Sequence, residues 1–169
     1  LISSGGRRLG GHCIAAVLAG CAGYQIAGKS FAVGERNSVI EGLGLLDVTT
    51  TRGPVRAVGE ILTRWTGRDG DDQWLTGFEN HGGYTRRGPD AAPLATVEIG
   101  TGNADDGSEG ATSGKVIGTY PHGPVLARNP ALADHLLELA LEETLRPVRR
   151  PEIDELRRQR IAAVRRSAR

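Results

Sequence analysis

The feature that most constrains this chain is a continuous apolar run, Cys13-Ile14-Ala15-Ala16-Val17-Leu18-Ala19, which ends on Gly20-Cys21-Ala22-Gly23. The run does not alternate. A strand with one face in water alternates polar and apolar side chains, so this one reads as a strand buried on both faces, as in a parallel sheet under helices. A tight glycine-flanked turn follows it, and residues 24–27 then read as a short helix. Strand, sharp turn and helix specify an α/β class, and 169 residues suit one compact domain with a sizeable core.

Further along, strands are predicted at 42–50, 56–62 and 76–78, with a last short strand at 116–120. The glycine-rich, acidic stretch 100–114 reads as an exposed loop whose acids are solvated rather than gathered around calcium. Asn129-Pro130 is a helix start, with Asn129 as the capping side chain and proline in the first turn. Leu132, Leu136, Leu139 and Ala140 mark the apolar face of that helix, and Arg146-Pro147 stops it. Pro151 opens a second helix with Ile153, Leu156 and Val164 roughly on one side and arginines elsewhere. It reads as a solvated terminal helix, or as a docking element for a partner. The expected division is a main domain over residues 1–146 and a basic helical tail over 147–169.

Bulk properties exclude several classes. The net charge is +1 and 24% of residues are charged, so no global field points to nucleic acid or an anionic membrane. No run of 18 apolar residues is present, which predicts no spanning helix. Residues 1–8 lack the apolar region of a signal peptide. The chain has no Met and begins on Leu1, which reads as a fragment or a trimmed record. If the residues between Cys13 and Cys21 are extended, the two lie roughly 25 Å apart. A disulfide needs Cα atoms within about 7 Å, so both thiols are expected to be free, as suits a cytoplasmic protein.

The chemistry concentrates at the turn. Ala19-Gly20-Cys21-Ala22-Gly23 has the form small-x-nucleophile-x-small, in which small neighbours permit a sharp strand-to-helix elbow that pushes the nucleophile out of the sheet. The N–H of Ala22 then points to where an oxyanion forms, and the electropositive helix start suits an anionic nucleophile. A thiol nucleophile needs an imidazole. Of the four histidines, His135 lies within a predicted helix and His12 precedes the first strand, at its far end. His81 and His122 both sit in glycine-flanked loops after predicted strands, where sites form in parallel α/β sheets, and the residues alone do not rank them. Gly23-Tyr24-Gln25-Ile26-Ala27-Gly28-Lys29-Ser30 also matches a phosphate loop. That loop requires a helix opening at its Lys-Ser pair, whereas residues 31–37 show no helical period, so the match reads as coincidence. His12, Cys13 and Cys21 lack any recognised metal spacing.

Gly20-Cys21-Ala22-Gly23-Tyr24-Gln25 resembles the nucleophile elbow of class I (triad-type) glutamine amidotransferases. Gly77-Phe78-Glu79-Asn80-His81-Gly82-Gly83, the stretch from Gly118-Thr119-Tyr120-Pro121-His122 to Asn129-Pro130, and residues 41–50 narrow the resemblance to the cobyric-acid-synthase-like branch. Residues 105–110 draw it toward the GatD-type glutaminase subunits of lipid II isoglutaminyl synthases. The resemblance spans about residues 17–136. It implies a flavodoxin-like, three-layer α/β domain with a mostly parallel sheet, truncated at its N-terminus, since only twenty residues precede Cys21. The front part of the family domain, with earlier strands and a glycine loop that donates to the oxyanion, is then absent.

The resemblance also implies roles. Cys21 is the nucleophile and His122 the general base and acid, with Ala22 N–H in the oxyanion hole. Gly23, Gln25, Asn80 and His81 support the motif around them. Arg56 best matches the arginine that holds substrate glutamine, with Arg52 as the weaker option. Many class I glutaminases carry an acid two residues after the histidine; here that position is Pro124, which leaves the group orienting His122 unassigned. The implied function is hydrolysis of L-glutamine, with ammonia passed to a MurT-type Mur-ligase-like subunit that amidates lipid II D-glutamate to D-isoglutamine in peptidoglycan synthesis. ATP and metal belong to that partner, and no cofactor or metal is expected in this subunit. The partner places the chain at the inner membrane face without inserting it. The alternatives are the glutaminase of a cobyrinate or cobyric acid amidating enzyme, or an inactive docking module.

Overall fold

The computed structural model describes residues 15–34, 38–66, 70–104, 106–122, 124–148 and 150–168. His12, Cys13, Asp105 and Gly123 of the motifs above lie outside them. Nine strands and four helices follow in the order β1 (Val17–Gly20), α1 (Ala22–Ala27), β2 (Ser30–Val33), β3 (Ser38–Glu41), β4 (Val48–Trp65), β5 (Trp74–Arg87), β6 (Ala95–Ile99), β7 (Ser108–Glu109), β8 (Ala111–Ser113), β9 (Val116–Thr119), α2 (Val125–Arg128), α3 (Pro130–Leu141) and α4 (Pro151–Ser167).

The strands form two sheets. One has the order β1-β9-β8; the other runs β3-β2-β4-β6-β7, with β5 also on β4. The α/β class holds, but the mostly parallel sheet is corrected in detail. Among the described residues only β1 with β9 and β2 with β4 run parallel, and the other pairings are antiparallel. The cause is connectivity. Parallel neighbours need a long crossover, whereas β4 returns as β5 through a short 3-10 turn, with register from Val48↔Arg87 to Arg64↔Trp74.

The strands predicted at 56–62 and 76–78 lie inside β4 and β5, which are far longer. Their glycines mark close approaches rather than ends: a Cβ on Gly53 would strike the Tyr84 ring, and one on Gly83 would strike Gln25. The strand predicted at 42–50 begins only at Val48. Residues 42–46 instead satisfy the end of α1 and the turn after it, with Leu43 N–H donating to Ile26 O and Gly44 N–H to Gly28 O.

The apolar run is covered less fully than its pattern predicts: Ala15 is exposed, residues 16–18 are half-buried and Ala19 is buried. Ala19 and Val17 pack with Tyr24, Leu46, Val48 and Tyr120 on one side of the three-stranded sheet. Leu18 packs with Ile117, Leu94, Trp65 and Leu132 on the other.

Four further expectations are corrected. The stretch 100–114 is not an exposed loop, since Asn103, Ser108, Glu109 and Ala111 are buried. The Asn103 side chain holds it in, donating to Ser108 Oγ at 3.0 Å and Gly110 O at 2.9 Å. Asn129 does not cap α3 with its side chain. Its amide instead pairs with the Thr76 backbone of β5, accepting from N–H and donating to the carbonyl, both at 2.9 Å. α3 ends at Leu141, with Glu142 left-handed at φ 58, before Arg146-Pro147 is reached. Finally, α4 is not merely solvated. Val164 and Arg157 are buried, and Arg157 donates to Trp74 O at 2.8 Å. The Arg64 and Arg165 guanidinium groups lie 5.1 and 4.5 Å from the centre of the Trp74 ring.

Candidate functional site

Cys21 sits at the hinge between β1 and α1 with φ 49 and ψ −114. Positive φ is unfavourable for any residue with a Cβ, costing roughly 1–3 kcal/mol, and persists only where the surroundings enforce it. Here the enforcement is a clamp on both sides of the residue. Cys21 N–H donates to Thr119 O of β9 at 2.8 Å, and Cys21 O accepts from Tyr24 N–H at 3.0 Å. The thiol is free and half-buried. A Cβ on Gly20 or Gly23 would meet open space. The small neighbours of the elbow therefore keep the approach to the thiol clear, rather than avoid a clash inside the chain.

β1 runs parallel to β9 with Gly20 opposite Thr119. The register places Cys21 just past the carboxyl end of one strand and His122 just past the carboxyl end of its neighbour. His122 is half-buried, and its N–H donates to Phe78 O at 2.8 Å, bridging to β5. Its ring Nε2 lies 3.3 Å from Asn80 O. A carbonyl only accepts, so this contact places the proton on Nε2 and leaves Nδ1 as the basic nitrogen. The backbone of β5 thus accepts the Nε2 proton and orients the ring.

The second histidine loop is occupied differently. His81 is buried, with Nδ1 2.9 Å from Gly83 O and Nε2 3.4 Å from Glu79 Oε2. Its ring stacks on Tyr120 at 3.5 Å between centres, 11° from parallel. Both of its nitrogens are engaged and one ring face is covered. Burial works against charge on Glu79, but hydrogen bonds from His81, Gly102 and Thr101 hold its carboxyl below the usual range. His135 packs edge-on against Trp65 at 5.3 Å.

Arg56 and Asn80 meet across a register shift between β4 and β5, where Arg56 Nε donates to Asn80 Oδ1 at 2.8 Å. Asn80 therefore serves two predicted residues, Arg56 through its side chain and His122 through its carbonyl. Arg52 pairs with Gly83, further along the hairpin. Gln25 Nε2 lies 3.4 Å from the Tyr120 hydroxyl, which also meets Thr85 Oγ1 at 2.6 Å. Thr85 continues to Thr50 at 2.7 Å.

That network is the part sequence reasoning missed: Tyr120, Thr85, Thr50, Tyr24, Asn103 and Glu109. The sequence holds no local sign of it: Thr49, Thr50 and Thr51 are the same residue type, and only the period of the strand turns Thr50 inward. Nothing local separates Glu109 from its neighbouring acid Asp106. Yet Glu109 is fully buried, and burial pushes its carboxyl up to about 7.

The phosphate-loop match has no phosphate geometry. Ser30 opens β2 rather than a helix, and Lys29 Nζ is paired with Asp47 at 2.5 Å. Among the described residues no cluster of His, Cys, Asp or Glu could hold a metal ion, and no helix is long and apolar enough to cross a membrane.

Residues 13–130 match the family of CobB/CobQ-like glutamine amidotransferase domains. The chain belongs to that family. Its relatives include the GatD subunit of lipid II isoglutaminyl synthase (glutamine-hydrolyzing) from Staphylococcus aureus, 39% identical over 79% of this chain and 53% of the relative. The subunit of the same name from Streptococcus pneumoniae is 36% identical over 86% and 56%. A cobyric acid synthase from Sphingopyxis alaskensis is 38% identical over 72% of this chain but 24% of that protein. The chain thus spans about half the length of the GatD relatives. Among solved structures, a glutamine amidotransferase from Thermotoga maritima aligns with a TM-score of 0.42 at 21% identity, covering 74% of this chain and 52% of that one.

Proposed function

We propose that this chain is the glutaminase part of an amidotransferase that acts on lipid II. The observation that carries the reading is the strained Cys21 elbow beside the strand end that bears His122. Nδ1 of His122 takes the thiol proton, and the thiolate attacks the side-chain amide carbon of L-glutamine. Ala22 N–H stabilises the oxyanion. The imidazolium then protonates the departing ammonia, leaving a γ-glutamyl thioester on Cys21. Water, deprotonated by His122, hydrolyses it to glutamate and the free thiol. Arg56, held by Asn80, binds the substrate glutamine. Gly23 leaves room at the elbow, while Gln25 and His81 brace Tyr120.

The relatives' names, as subunits of lipid II isoglutaminyl synthase, support a partner subunit; in this reading it is MurT-type and Mur-ligase-like, takes the ammonia, supplies ATP and metal chemistry and converts lipid II D-glutamate to D-isoglutamine. That partner brings the chain to the inner membrane face. Residues 1–146 carry the amidotransferase domain, and 147–169 form the basic helical tail.

The test is glutamate release from L-glutamine by the purified chain, alone and with the Mur-ligase-like partner. Activity is expected with the partner. Cys21→Ser and His122→Ala abolish it, and Cys13→Ser does not. No glutamate in either arm, with Cys21 unlabelled by the glutamine analogue diazo-oxo-norleucine, overturns the reading. Ammonia transfer to a cobyrinate but not to lipid II redirects it to the cobyric acid branch, which the Sphingopyxis relative represents.

A further inference from the structure

Glu109 lies where the two sheets meet. Its backbone belongs to β7 and pairs with Ala95 of β6. Its side chain reaches into the other sheet. Oε1 accepts Tyr120 N–H at 2.8 Å, and the two oxygens accept the Thr119 hydroxyl at 3.0 and 3.1 Å. By this point β8 has left β9, the last register pair being Ala111 with Gly118. A carboxylate therefore stands in for a neighbouring strand at the end of β9. Gly110, at φ 64, makes the turn that allows this, and any Cβ there would strike Gly118 O.

Burying this group is costly, and its partners are neutral donors rather than a cation. Tyr120 N–H can only donate, so the oxygen facing it must accept, whereas the Thr119 hydroxyl can donate or accept. A glutamine in its place keeps one acceptor oxygen and exchanges the other for an N–H group. What the group holds is a single peptide unit with the site built around it. Thr119 O accepts the N–H of Cys21 at 2.8 Å. The Tyr120 ring lies on His81 and its hydroxyl on Thr85. His122 follows two residues later.

We propose that Glu109 is a positioning residue for the glutaminase site. It fixes the Thr119–Tyr120 peptide, and through that peptide the spacing between Cys21 and His122. It touches neither substrate nor the reacting atoms. The inference rests on the reading of Cys21 and His122 as the reacting pair.

The test compares Glu109→Gln with the parent chain, both carrying Cys13→Ser so that Cys21 is the single thiol. Three readouts are taken with the partner present: kcat and KM for glutamine, labelling of Cys21 by diazo-oxo-norleucine, and labelling by iodoacetamide, which needs no glutamine site. Misplacing a reacting pair by a fraction of an ångström costs on the order of tenfold or more in rate. Glu109→Gln is therefore expected to lower kcat and analogue labelling about tenfold, with KM and iodoacetamide labelling within about twofold. A folded Glu109→Gln chain that keeps kcat, or that raises KM alone, overturns the proposal. If that variant does not fold, Thr119→Val removes one of the two donors and decides: unchanged kcat overturns the proposal, and a lowered kcat at constant KM sustains it. A parent chain that neither releases glutamate nor takes the analogue overturns the proposed function and this inference with it. A parent active on both counts but indifferent to Glu109 overturns this inference alone.

Discussion

Cys21 adopts a backbone conformation that side chains rarely take, and two hydrogen bonds from opposite directions hold it there. Nearby, Glu109 is buried in a place where water would welcome it. The two features are linked through Thr119, which accepts from the first and donates to the second. The cost of the second has a measurable sign. Below about pH 4.5 the Glu109 carboxyl is protonated in both folded and unfolded chains. Between there and about pH 7 the unfolded chain ionises first while the folded chain keeps its proton, because burial raises the folded value. Folding stability therefore declines as pH rises through that window, by about 3 kcal/mol for the full separation. Glu79 acts with the opposite sign and lower down: its depressed carboxyl adds stability that is lost as the pH falls below its unfolded value. Urea midpoints at pH 5 and pH 7.5 measure the first effect. The parent should be the more stable at pH 5, and Glu109→Gln should flatten the difference.

Among the elements, those whose periodicity or punctuation is local were legible. The apolar run carries a strand at Val17–Gly20, proline opened α3 and α4, and Cys21 sat at an elbow. What failed depended on partners distant in sequence. Asn129 has the residue type of a cap, but its amide is taken by Thr76 on β5, 53 positions away. The acidic stretch looked solvated because nothing local reveals that Asn103 would reach Ser108, Gly110 and Tyr24. β4 and β5 looked like short strands because glycines within them imitate ends. Asn129 thus ties the start of α3 to β5 and helps fix the segment after His122. Asn129→Ala leaves Thr76 N–H and O buried without that partner, at about 1–3 kcal/mol for each unsatisfied group. A lower melting temperature is expected, and Asn129→Asp, whose buried carboxylate would face the carbonyls of Thr76 and Val125, should lower it at least as far.

At the scale of the whole molecule, the site was legible as a set of motifs but not as a place. Cys21, His122, Arg56, Asn80 and Gln25 stand out as residues, yet only the fold sets the strand ends before Cys21 and His122 side by side and joins His122 to β5. The pairing of β1 with β9 joins Val17 to Val116, about a hundred residues apart in sequence. The β4–β5 hairpin, by contrast, closes over a short turn. Closing a long loop costs more chain entropy than closing a short one. The hairpin should therefore form early and the pairing of β1 with β9 late. Refolding followed by the emission of Trp65 and Trp74, both on the hairpin, should then run ahead of the return of analogue labelling at Cys21. Simultaneous recovery would contradict that order. The order has a consequence for the growing chain: until β9 is in hand, Cys21 lacks the neighbouring strand end that carries His122, and on the proposed reading reactivity arrives only with completion.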